Sequence, residues 1–256
     1  MTFKFITYVG LCFVMSTSIL FASNRLSIGT AVDFSSGYYG AEAKTEMIAT
    51  IVQAKYNTDD FSIRLDLPYL TISGPSNVTT SSSSTVIPTT STKYRESEGI
   101  GDAVLGVVYN AFYNPEFAFA IDVGFKLKMP TASHHAGLGT GEPDETLQIY
   151  TYKSLDDFTL MLGAGYKFVG EPTNTHYRNT ASVSSGIIYQ LSNQSSIGTM
   201  VDFRQSVFSK LNNQTEVTLY GSHKFLSSWQ TQLYLYKGLT NTSPSFGVGG
   251  VLSYQF

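Results

Sequence analysis

From residue 24 onward the chain is a succession of segments in which large apolar residues fill every second position. The clearest is Phe117–Pro130, FAFAIDVGFKLKMP, with Phe117, Phe119, Ile121, Val123, Phe125, Leu127 and Met129 in one phase. Ala118, Ala120, Asp122, Gly124, Lys126 and Lys128 hold the other. A period of two marks a strand with unlike faces and excludes a helix, whose apolar positions recur every three to four residues. About a dozen such segments follow one another: Leu26–Phe34, Ile48–Tyr56, Phe61–Tyr69, Ala103–Tyr113, Phe117–Met129, Leu147–Thr151, Phe158–Phe168, Val183–Tyr189, Ile197–Phe203, Val217–Phe225, Trp229–Leu235 and Phe246–Phe256. Many run to about ten residues, the length of a tilted membrane strand rather than the five or six usual in a soluble sheet.

The connections alternate too. Tight turns at Asn57–Asp60, Asn114–Glu116, Leu155–Asp157, Leu191–Gln194 and Leu226–Ser228 interleave with longer links at Ser35–Ala43, Ser73–Glu98, Pro130–Asp144, Gly170–His176, Ser206–Asn213 and Gly238–Ser243. This predicts an all-β fold, a transmembrane antiparallel up-and-down β-barrel of about 12 strands. Its short turns and both termini face the periplasm and its long links face outward. An even strand number lets the first and last strands pair and removes exposed edges. The competing reading is a secreted soluble sandwich. The low-complexity run Ser76–Thr85 lies in the longest link and reads as a flexible loop.

The segment before the first strand, Met1–Ala22, carries Lys4, an apolar run and small residues at its end, the pattern of a secretory signal peptide. The expected division is 1–23 as leader and 24–256 as barrel. The sole cysteine, Cys12, lies in the leader, so the mature chain can form neither a disulfide nor a cysteine-ligated metal site. Only 14% of residues are charged, the net charge is −3, and no basic run exists, so nothing points to nucleic acid. The last segment alternates apolar residues and ends on Phe256, as in the carboxy-terminal strand that bacterial barrel-assembly machinery recognises. Tyr69, Tyr113, Phe117, Phe158, Phe168, Phe208, Phe225, Trp229 and Tyr254 fall near strand ends, where interfacial girdles sit.

If the apolar phase meets the lipid bilayer, the other phase lines a lumen. Arg64, Asp66, Asp102, Asp122, Lys126, Lys128, Lys167, Asp202 and Arg204 then point inward, joined by Lys55, Glu216 and Lys224. Charges of both signs in a narrow space should pair across strands or form a selectivity ring. Tyr150, Tyr152, Tyr220, Tyr234 and Tyr236 share the inward phase with Met161 and Met200. These tyrosines are candidates for contact with a small-molecule solute, or else they fill the barrel.

Four motifs carry a family resemblance: Glu98-Gly99-Ile100-Gly101-Asp102 before a strand, Phe125-Lys126-Leu127-Lys128-Met129-Pro130-Thr131 at a strand end, Gly137-Leu138-Gly139-Thr140-Gly141 with Asp144, and Leu162-Gly163-Ala164-Gly165-Tyr166. In this order the chain resembles the MetA-pathway of phenol degradation family of bacterial outer-membrane proteins over residues 95 to 170. Ala132 stands where the family pattern has Gly, and His134-His135 follow. The resemblance implies an outer-membrane channel for aromatic or other hydrophobic solutes. A structural or adhesive barrel is the alternative, and Asp102 has a structural role open to it, capping amides or pairing with an inward cation. An enzyme would need a nucleophile paired to a base. His134, His135 and His176 lie in links with Glu142, Asp144 and Glu171, His223 lies in a lipid-facing phase, and no such pairing is legible. No cofactor or metal site is expected.

Overall fold

The structure, a computed structural model, describes residues 25–75, 77–78, 86–87, 94–172 and 176–256; the predicted leader and most of the Ser76–Thr85 run lie outside them. Among the described residues the strands are β1 (Arg25–Gly37), β2 (Thr45–Asn57), β3 (Phe61–Gly74), β4 (Asn77–Val78), β5 (Val86–Ile87), β6 (Arg95–Ile100), β7 (Ala103–Asn114) and β8 (Phe119–Met129). They continue with β9 (Asp144–Leu155), β10 (Phe158–Phe168), β11 (Thr180–Gln190), β12 (Ser195–Arg204), β13 (Gln214–Phe225), β14 (Trp229–Gly238) and β15 (Phe246–Gln255). Each long strand pairs antiparallel with its sequence neighbours, and β1 also pairs with β15 from Ser27↔Gln255 to Ser36↔Phe246, so the sheet closes. Along β3, residues Phe61–Asp66 pair with β7 and Tyr69–Gly74 pair with β6. β6 and β7 are therefore one barrel strand broken at Gly101-Asp102, while β4 and β5 form a separate ladder. So joined, the wall is a closed barrel of twelve strands; beyond the break, β6 has a ladder on its β3 side alone among the described residues.

The apolar phase faces outward. Leu26, Ile28, Val32, Ile48, Val52, Leu147, Ile149, Leu162, Leu219 and Leu233 are all exposed, as a lipid-facing belt requires. The tight turns are local: at Asn57–Phe61 the Thr58 N–H donates to the Phe61 carbonyl at 2.8 Å and the Phe61 N–H to Thr58 Oγ1 at 3.1 Å. Asp156 and Leu226 take left-handed backbone angles (φ 53° and 55°) in the turns that start β10 and β14.

Several boundaries differ from the sequence expectation, as where β1 runs on to Gly37 and β9 spans Asp144–Leu155. β3 continues past Tyr69 to Gly74, and Arg95–Ile100, placed in a link, is a strand paired with that continuation. The alternation fades there because backbone pairing past the lipid belt needs no greasy face. Phe117 sits in a turn ahead of β8 rather than in the strand. The register of β7 against β8 slips between Asn110 and Phe112, a bulge at Ala111. The extra residue shifts the phase, so Tyr113 packs against the interior cluster instead of joining a girdle.

Two apolar clusters fill much of the interior. One gathers Val108, Ala120, Tyr150, Tyr152, Met161, Ile188, Met200, Tyr220, Tyr234 and Tyr236. The other gathers Ala31, Met47, Ala49, Ile51, Leu70 and Ile72 from β1–β3 with Tyr39, Ala132 and Leu138 from links.

Candidate functional site

The second cluster shows where the 130–143 link goes. Ala132 and Leu138 pack on inward residues of β1–β3, so this link, expected outside, folds into the barrel and narrows it. Its hold on the wall is polar. Thr131 Oγ1 donates to the Gly101 carbonyl at 2.9 Å and accepts from the Ala103 N–H at 2.8 Å, which satisfies the backbone at the break between β6 and β7. The Ala132 N–H donates to Asp102 Oδ1 at 3.0 Å. Gly139 passes so close that a Cβ would lie 2.9 Å from both Asp102 carboxylate oxygens. The Arg95 guanidinium donates to the His135 carbonyl at 3.0 Å.

Lys128 is the centre of this hold. Its Nζ lies 3.1 Å from Asp144 Oδ2, 3.5 Å from Asp102 Oδ2 and 3.1 Å from Thr140 Oγ1, and its side chain is only 5% exposed. Asp144 also accepts from the Gly170 N–H at 3.0 Å and has Lys167 Nζ at 3.9 Å. Three of the four sequence motifs thus meet at one knot, joined by Lys167, the residue after the fourth, with charges alternating Asp102, Lys128, Asp144, Lys167. Buried carboxylates of this kind persist only when paired. Asp102 does both things open to it, capping an amide and pairing with a cation. Beside the knot, half-buried Tyr177 sets its ring edge-on to Phe208 at 5.3 Å. Burial, and then the charge of Asp144, push its phenol above the ordinary value.

The inward charges fall into two groups. Arg64, Asp66, Asp102, Asp122 and Lys128 are buried; Arg64 Nε donates to Asp66 Oδ1 at 2.7 Å. Lys126, Lys167, Asp202 and Arg204 remain partly accessible. Asp202 accepts from Ser184 Oγ at 2.6 Å, and Arg204 pairs with Glu216. Around these four the inward positions of β10–β12 are small: Gly165, Ser182, Ser184, Gly186 and Gly198 are all partly accessible. Besides the packed sector under β1–β3, the inner face of β8–β12 divides along the strands: toward the short turns Ala120, Tyr152, Met161 and Ile188 are packed in the first cluster, and toward the long links Lys126, Lys167, Ser182, Ser184, Asp202 and Arg204 stay partly accessible.

All five candidate tyrosines are inside and buried. Each of four lies across a glycine opposite it on the neighbouring strand: Tyr150 over Gly163, Tyr220 over Gly198, Tyr234 over Gly249 and Tyr236 over Gly247. A Cβ at Gly163 or Gly198 would stand 2.5 Å from the ring. The missing side chains let the rings lie on the wall. Tyr234 and Tyr236 donate to Asp33 Oδ2 and Oδ1, both at 2.9 Å. The sequence reading missed Asp33, which sits in the polar phase of β1 between Ala31 and Ser35.

The structure also makes a pairing the sequence did not reveal: Ser195 Oγ and His223 Nδ1 lie 2.8 Å apart. The pair faces outward near the short-turn rim, where the His223 ring stacks on Phe225 at 6.4 Å and Phe225 on Trp229 at 6.3 Å. A triad needs a third group to orient the imidazole. Separately, among the described residues no group of three or more His, Cys, Asp or Glu side chains is placed to hold a metal ion. His134 and His135 stay in the link with their rings 5.9 Å apart, and His176 faces Glu171 at 3.6 Å.

No family model and no curated protein matches the chain. Among solved structures it is similar to the COG4313 outer membrane channel from Pseudomonas putida F1, with a TM-score of 0.75 and 14% identity over 93% of this chain and 97% of that one. It is also similar to the NanC porin, with a TM-score of 0.56 and 7% identity over 89% and 98%. The KdgM porin follows with a TM-score of 0.55 and 11% identity over 90% and 99%. At these identities the likeness is one of fold: the barrel resembles those of bacterial outer-membrane proteins.

Proposed function

We propose that the chain is a bacterial outer-membrane channel through which small solutes pass passively along the inner strip of β8–β12. The observation that carries this is the long-link half of β8–β12, where Lys126, Lys167, Asp202 and Arg204 are partly accessible among glycines and serines, while the short-turn half of the same strands and the interior of β1–β3 are packed. Asp102, Asp144, Asp202 and Glu216 balance Lys126, Lys128, Lys167 and Arg204, so the strip carries alternating charge with little net sign. Such a surface suits uncharged or zwitterionic polar solutes. The family resemblance suggests aromatic or hydrophobic solutes. The inward tyrosines support that reading less, because in this conformation they form wall rather than free surface. In this reading residues 1–23 direct export, and the strand Phe246–Gln255 with terminal Phe256 is the segment offered to the assembly machinery.

The test is single-channel conductance of refolded residues 24–256 in a planar bilayer, with vesicle swelling in small sugars and phenols. Discrete steps of weak ion selectivity, shifted toward cations by Lys126→Gln, are expected. A folded, inserted protein that gives neither steps nor swelling overturns the channel. That outcome leaves the structural barrel, a second reading favoured by the two packed clusters.

A further inference from the structure

A sheet that closes on itself has one joint unlike the others. Here β1 meets β15, the only strand pair among the described residues that joins segments from opposite ends of the chain. Asp33, Gly249 and Tyr234 stand in one cross-strand row on β1, β15 and β14; Ser35, Gly247 and Tyr236 form the next. The glycines on β15 leave its inner surface bare, and the two rings from β14 lie across it. Their hydroxyls donate to the two separate oxygens of Asp33, which is 2% exposed. The rings lie near parallel, 6.2 Å apart and 24° inclined. Each β14 side chain therefore spans the whole of β15 to reach β1.

We propose that Asp33, Tyr234 and Tyr236 form a lock across the closing joint, holding the first strand to the last from inside. The backbone ladder between β1 and β15 resembles every other ladder in the wall, but its two strands are drawn from opposite ends of the described residues. A pair of hydrogen bonds from β14 to one buried carboxylate on β1 adds a side-chain tie across this joint. The tie works only with glycine at 247 and 249, since a side chain there would occupy the place of the rings. Tyr150 over Gly163 and Tyr220 over Gly198 repeat the ring-on-glycine packing within adjacent pairs. The lock does not depend on the channel reading.

The test is thermal unfolding of the mature chain in vesicles, read by gel mobility without boiling. Asp33→Ala, and separately Tyr234→Phe with Tyr236→Phe, should each lower the midpoint by about 5 °C or more. The triple variant should be no lower than the worse of these. A disulfide between Thr30→Cys and Leu252→Cys, opposite one another on β1 and β15, should restore the Asp33→Ala midpoint. One between Ile187→Cys and Thr199→Cys, opposite on β11 and β12, should not. Should Asp33→Ala fail to fold, the same comparison is made with Asp33→Asn and with the phenylalanine pair. Unchanged midpoints, additive losses, or equal rescue by both disulfides would overturn the lock.

Discussion

Lys128 and Lys126 sit two residues apart on one strand face, and the structure gives them opposite roles. Lys128→Met keeps the length of the side chain and removes its charge. At 3.1 and 3.5 Å from Asp144 and Asp102, and at an effective permittivity of about 20, each attraction is about 5 kcal/mol before desolvation. The carboxylates can protonate or take up water once the lysine is gone, so the net loss is about 3 to 5 kcal/mol, the usual result of deleting one partner of a buried pair. Lys126→Met should cost below about 1 kcal/mol, because Lys126 is partly solvated and screened. Urea unfolding in vesicles, followed by the fluorescence of the single tryptophan, Trp229, measures both. Conductance then completes the contrast. Lys128→Met should flicker as the 130–143 link loosens, and Lys126→Met should change ion selectivity while conducting steadily. If Lys128→Met unfolds within about 1 kcal/mol of wild type and shifts selectivity as Lys126→Met does, the knot is no knot and both lysines merely line the lumen.

Three further outcomes follow. Gly198→Ala puts a Cβ 2.5 Å from the Tyr220 ring and should cost about 1 to 3 kcal/mol, part of which Tyr220→Leu recovers; additive unfolding energies would contradict the packing. Tyr39 donates to Ser35 Oγ at 2.9 Å, and burial holds its phenol above its ordinary 10.0. The unfolded chain ionises first, so stability should fall as pH rises past about 10, less steeply in Tyr39→Phe; parallel pH profiles would refute the assignment. Ser195 and His223 should support no hydrolysis, so phospholipid vesicles should stay intact. Fatty-acid release abolished by Ser195→Ala would make the rim pair catalytic.

The wall was legible in the sequence because lipid demands one greasy face from every strand, and a period of two survives in residues such as Ile48, Val52, Leu160 and Leu162 without any knowledge of partners. The inward phase was legible for the same reason: Arg64, Asp66, Asp102, Asp122 and Lys128 of that phase are buried. What distinguishes Lys126 from Lys128 was not legible, since it depends on where a link of some fourteen residues folds. Glycine-rich text such as Gly137–Gly141 reads as an exposed loop until Leu138 is seen to have a pocket. Asp33 was hidden because attention falls on the apolar phase of β1, and its partners lie some two hundred positions away. The tyrosine and glycine pairs need cross-strand register, which alternation alone does not supply. Ser195 and His223 meet for the same reason, as opposite positions on β12 and β13.

The bulge at Ala111 has a consequence for how such a wall can change length. Deleting a residue from the middle of a regular strand throws everything beyond it onto the wrong face, which a barrel between lipid and lumen cannot absorb. Ala111 is already surplus to the pairing of β7 with β8. Without it, Asn110 inward, Phe112 outward and Tyr113 inward fall into plain alternation with no side chain changing sides. This strand can therefore shed a residue silently, and the surplus alanine marks a place where gain or loss of a single codon leaves both surfaces of the protein as they were.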